Sequence, residues 1–87
     1  MRDLLKEHVE RSLRALGQER EQVRLELQTR GSKPSQWAEL EHRACIAELV
    51  ARKVTPSSAR TVDGALAAVR AFREAHALRG AASTNAS

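Results

Sequence analysis

Apolar residues recur along the first third of the chain at Leu5, Val9, Leu13, Leu16, Val23 and Leu27, with Arg20 occupying the one long gap. Counted that way, every step is three or four, the period of one face of an α-helix. The run from Asp3 to Arg30 holds no Pro and a single Gly, Gly17. Acid also precedes base by four positions at Glu7 and Arg11, Glu10 and Arg14, and Glu26 and Arg30, the favourable order on an exposed helix face. The pattern predicts a helix over about 3–30, roughly 40 Å long at a rise of about 1.5 Å per residue.

The pattern breaks at "RGSKPSQW", Arg30 to Trp37. Gly31 supplies the left-handed conformation that commonly ends a helix, and Ser32 or Ser35 offers a cap for the next one. Pro34 fits a first helical turn, where its missing N–H costs nothing. A second helix over 35–54 follows, with Trp37, Leu40, Ala44, Ala47, Ala51 and Val54 on one face and Ile46, Leu49 and Val50 widening it. That breadth predicts contacts on two sides, one with the first helix and one with a partner. "TPSS" marks the next boundary, Thr55 as N-cap and Pro56 as the first helical residue. Val62, Leu66, Val69, Phe72 and His76 then line one face of a third, Ala-rich helix over 56–79. The tail 80–87 has nothing to bury and is expected to be disordered. The expected fold is all-α: an antiparallel helical hairpin with a third C-terminal helix, one domain over residues 1–79, and a disordered C-terminal tail.

Composition adds a constraint on stability. A chain of 87 residues buries only about 60–65% of its unfolded surface. With one Phe, one Trp and no Tyr, it also lacks the large side chains that dominate compact cores. Another chain, a copy or a different protein, is therefore expected to complete the apolar surface. Leu49→Ala is expected to cost about 2–5 kcal/mol if Leu49 is buried.

Charge changes the picture little. Fifteen basic against eleven acidic residues give +4, but no segment forms a basic block, so the high isoelectric point argues only weakly for nucleic acid. The lone Cys45 makes no internal disulfide, and no apolar run approaches the roughly 20 residues of a membrane span. The charged start lacks the apolar core of a signal peptide, which makes a soluble cytoplasmic protein the expectation.

Candidate chemistry is sparse. His42 and Cys45 lie three apart on the second helix, but no second pair follows at ligand spacing, so neither a metal nor another cofactor is expected. No Ser or Cys stands in a recognisable nucleophile, base and oxyanion arrangement, so catalysis is not expected either. A helix-turn-helix reading would make 35–54 the recognition helix, yet its exposed face carries Glu39, Glu41 and Glu48, a poor match to phosphate. Arg60, Arg70, Arg73 and Arg79 on the third helix are the better nucleic-acid candidates. The alternative function is accordingly a homodimeric helical protein acting as a nucleic-acid-associated regulator. A protein-interaction module accounts for more of the sequence, with Trp37 either closing the hairpin core or serving as an interface hot spot.

The corner itself resembles a known family. Glu26-Leu27, Arg30-Gly31, Pro34, Gln36, Trp37, Leu40 and Ala44 are similar to the helical-hairpin corner of the co-chaperones of the type III secretion needle subunit, in which the position of Trp37 is often Tyr. The resemblance covers about the first 55 residues, and the helix over 56–79 has no counterpart in it. It implies a non-catalytic subunit that binds a helical-repeat chaperone and, through it, helps keep the needle subunit from assembling prematurely. The expected hairpin-interface and partner-binding residues are Leu13, Leu16, Val23, Leu27, Trp37, Leu40, Ile46, Leu49 and Val50, with Gly31 and Pro34 forming the turn.

Overall fold

A computed structural model of the chain describes residues 3–31 and 33–76; the tail expected beyond residue 79 and the candidate cap Ser32 lie outside them. Among the described residues there are three helices and no strand: α1 (Leu4–Arg30), α2 (Ser35–Val50) and α3 (Pro56–Ala75). The all-α fold is thus the one the periodicity predicts.

Local chemistry accounts for the helix ends. The Asp3 side chain accepts a hydrogen bond from the Lys6 N–H and caps α1, satisfying one of the amides that a helix start leaves unpaired. Gly31 ends α1 at φ 70°, ψ 28°, a left-handed conformation that side chains with a Cβ rarely adopt. Pro34 stands just outside α2, not in its first turn, with φ −60° and ψ 147°. Its carbonyl accepts from the Trp37 N–H at 3.0 Å. Ser35 is the first helical residue and caps nothing; α2 has no side-chain cap.

α2 stops at Val50, four residues short of the expected 54. The Arg52 and Lys53 amides reach back only three residues, to the Leu49 and Val50 carbonyls, a tight turn that closes the helix. Pro56 reinforces the stop by disfavouring helical geometry at the residue before it. α3 opens with a reciprocal capping box. The Thr55 hydroxyl accepts from the Ser58 N–H at 3.0 Å and the Ser58 hydroxyl from the Thr55 N–H at 2.9 Å, with Pro56 at the first helical position. Of the expected third helix, 77–79 lies outside the described residues.

Contacts between elements set the topology. His8 and Ser12 meet Asp63, Glu19 meets Arg70 and Arg73, and Arg30 reaches the His76 carbonyl, so positions rise together along α1 and α3. These two helices are parallel. α2 runs the other way, with Arg20 of α1 paired to Glu48 near its end and Phe72 of α3 against Trp37 near its start. The chain is therefore up, down, up. α3 packs extensively on both α1 and α2, whereas α1 and α2 touch each other sparingly. The hairpin's two arms are joined less by each other than by the third helix, which supplies Ala59, Val62, Ala65, Leu66, Val69 and Phe72 to the common core. The molecule is elongated, 49 × 25 × 16 Å, because α1 alone spans about 40 Å at 1.5 Å per residue.

Candidate docking face and interhelical clusters

The expected interface residues divide into two groups. Leu16, Val23, Leu27 and Trp37 are buried in the core, and Leu13 and Leu40 pack against it partly covered. Ile46, Leu49 and Val50 are 42%, 56% and 41% exposed. The separation follows from helical geometry. At 100° per residue, Trp37, Leu40, Ala44, Ala47 and Ala51 fall on one side of α2, and Ile46, Leu49 and Val50 fall on the other. The condition attached to the Leu49→Ala estimate is not met, since Leu49 faces outward.

Trp37 has no exposed surface, and its ring lies 5.4 Å from that of Phe72 at 39°. It is a core anchor and not a surface hot spot. Ala44, Ala47 and Ala51 of the second segment and Ala59 and Ala65 of α3 are buried together in one core, and small side chains permit a close approach of packed helices. Tight packing of small side chains thus replaces the missing aromatics.

The outer face carries a contiguous i, i+3, i+4 apolar patch, with the exposed thiol of Cys45 beside it. Glu39 lies seven residues before Ile46, and Lys53 seven after it, in the turn that closes α2. Both are exposed, and neither forms an ion pair among the described residues.

Two polar clusters join α1 to α3. Asp63 accepts from Ser12 Oγ at 2.8 Å and from His8 Nε2 at 2.7 Å. Ser12 is buried and so needs this partner. Burial raises the Asp63 pKa, but hydrogen bonds from His8 and Ser12, with the charge of His8, outweigh it and leave the carboxyl below its usual range. Serine, histidine and aspartate here do not form a nucleophile with its base: Asp63 stands between the other two, so the imidazole does not hydrogen-bond the hydroxyl it would have to deprotonate. In the second cluster Glu19 accepts from Arg73 Nη1 and, at 3.2 Å, from Arg70 Nε. Burial raises its pKa, and the hydrogen bonds and charges of Arg73 and Arg70 overcome that and lower it.

Those contacts bear on the nucleic-acid reading. Of its four candidate cations, Arg70 and Arg73 share the single carboxylate of Glu19, Arg79 lies outside the described residues, and Arg60 forms no ion pair among them. An open recess of about 410 Å³ at the α1/α2 corner is bordered by Arg24, Leu27, Gln28, Gly31, Lys33 and Trp37. It brings together no acid and base pair. Among the described residues no three His, Cys, Asp or Glu side chains converge to hold a metal ion, and no helix is long and apolar enough to cross a membrane.

Ser12, Asp63 and Glu19 were not legible as partners in the sequence. Periodicity puts Ser12 next to the apolar stripe, but nothing local says which helix supplies its acceptor. In comparisons with known proteins, no family model, curated protein or solved structure matches this chain.

Proposed function

We propose that the protein is a small binding subunit that docks on a larger protein partner through the outer face of α2, as a co-chaperone does. One observation carries the reading. In a bundle whose other large apolar residues are mostly buried, Ile46, Leu49 and Val50 stand together on one exposed helical face. Isolated exposed apolar residues are ordinary, and a contiguous set on one helix marks a contact surface. An amphipathic helix presenting i, i+3 and i+4 anchors is a recurrent way of filling a groove on another protein.

The type III secretion co-chaperone reading specifies the partner: a helical-repeat chaperone, with the needle subunit held unassembled through it. Of the positions that carry the resemblance, Glu26, Leu27 and Arg30 close α1, Gly31 and Pro34 belong to the turn, Gln36 is exposed in the first turn of α2, and Trp37, Leu40 and Ala44 lie on its inner face. They support a shared hairpin corner, and the docking face is argued from different residues. The mechanism is burial. Covering Ile46, Leu49 and Val50 removes apolar area from water, and a partner that binds only the folded chain stabilises it by mass action.

The test is isolation of the tagged chain from cells that express it naturally, followed by native mass measurement. A stoichiometric complex with one larger helical-repeat protein is expected. A mass equal to the chain alone, or to the chain plus nucleic acid, contradicts the reading.

A further inference from the structure

We infer that, when no other partner is bound, the outer face of α2 pairs antiparallel with the same face of a second copy of this chain. The inference rests on the assignment of this face as a docking surface, and not on the identity of the larger partner.

The argument comes from the order of side chains along the face. Glu39, Ile46 and Lys53 follow one another at seven-residue intervals; Glu39 and Ile46 fall nearly in line on one side of α2, and Lys53 lies three residues past its end, in the turn that closes it. The acid lies toward the N-terminal end, the base toward the C-terminal end, and Leu49 and Val50 flank the middle. A two-fold axis near Ile46 brings the apolar residues of both copies together at the centre. At each edge it places Glu39 of one copy beside Lys53 of the other. The parallel arrangement places Glu39 beside Glu39 and Lys53 beside Lys53. Among the described residues neither charge has a partner within its own chain, so the pairing breaks no ion pair among them. Antiparallel helices also oppose their dipoles favourably. The result is an isologous contact, self-complementary under a two-fold.

Its size sets its strength. A contact confined to one 16-residue helix per copy buries less than the roughly 1,200 Å² at the lower end of stable interfaces. The dimer is therefore weak and concentration-dependent. It shields the apolar patch in the free chain and yields to a larger partner that offers more surface. The two associations exclude one another because they use the same residues.

The purified chain alone, examined by sedimentation equilibrium from about 1 µM to about 1 mM, tests this over a thousandfold span of mass action. A monomer–dimer equilibrium is expected, weakened at least tenfold by Ile46→Glu. Glu39→Lys and Lys53→Glu should each weaken it, and the double variant, with the charges exchanged, should regain the wild-type constant; in the parallel arrangement like faces like in every one of these chains, so the single variants would not weaken it. With axes about 8–10 Å apart, the two Cys45 thiols fall on the same side of the pair, on the order of 10 Å apart. A bis-maleimide of that span should join them in the wild type and not in Ile46→Glu. A wild-type chain monomeric throughout, a dimer insensitive to Ile46→Glu, or a double variant no tighter than the single ones overturns the inference. A chain that is monomeric alone yet forms the larger complex through Ile46 overturns self-pairing and leaves the docking assignment standing.

Discussion

Gly17 sits in the middle of α1, exposed, in helical conformation, and beyond its chain neighbours and the adjacent helix backbone no atom lies within 4 Å of the position a Cβ would occupy. Nothing in the packing uses its lack of a side chain. Gly17→Ala is expected to stabilise the protein by about 1 kcal/mol, the difference in helix propensity, read as a rise in the urea midpoint with unchanged slope. Glu19 supplies a prediction of a different kind. Its folded pKa is lowered on balance by Arg73 and Arg70 against the effect of burial, so the unfolded chain binds its proton more readily. The stabilisation is fully present above the ordinary carboxylate value of about 4.3 and is lost as pH falls through the lower folded value. Asp63 adds a loss of the same sign. Thermal midpoints recorded down through the acid range should fall, and should fall less steeply in Glu19→Gln; parallel pH profiles for the two proteins contradict the assignment. At this scale the sequence was least legible. Arg20 looked like a flaw in an apolar stripe, and it is a partly buried residue reaching Glu48 of α2 at 2.8 Å. The choice of partner depends on how the helices pack, which local spacing does not contain.

The helices themselves were legible, since a period and two punctuation signals define each. α1 and the start of α3 lie where the pattern puts them, because Asp3, Gly31 and the Thr55/Ser58 pair have local roles independent of tertiary structure. Thr55→Ala removes one half of the capping box and is expected to cost about 1 kcal/mol, measurable by chemical denaturation. The face of α2 was harder to read. Its apolar residues cover nearly the whole circumference, and periodicity cannot say which side a core will take. The core takes the side that carries Trp37, Ala44, Ala47 and Ala51. Leu16→Ala and Leu49→Ala therefore separate the two roles of leucine in this chain. Leu16, with no exposed surface, should cost about 2–5 kcal/mol on truncation. Exposed Leu49 should cost no more than about 0.5 kcal/mol of folding stability. Equal losses contradict the division of faces.

At the level of the whole molecule, α3 changes the meaning of the hairpin. Composition argued that so few large apolar residues required a second chain. Much of that requirement is met inside this one, because α3 covers both α1 and α2 and closes the core over Trp37. On the proposed reading, what remains for a partner is a defined patch on α2, and not an open hairpin. The central claim is that this patch, and no other exposed apolar site, carries association. The most direct measurement is the native mass of the assembly recovered with the wild-type chain, with Ile46→Glu and with Leu25→Glu, the last placing the same charge at an exposed leucine of α1. The account predicts that Leu25→Glu retains the partner in the wild-type ratio and that Ile46→Glu loses it while both variants melt like the wild type. Retention of the partner by Ile46→Glu, or equal loss from both variants, would contradict it.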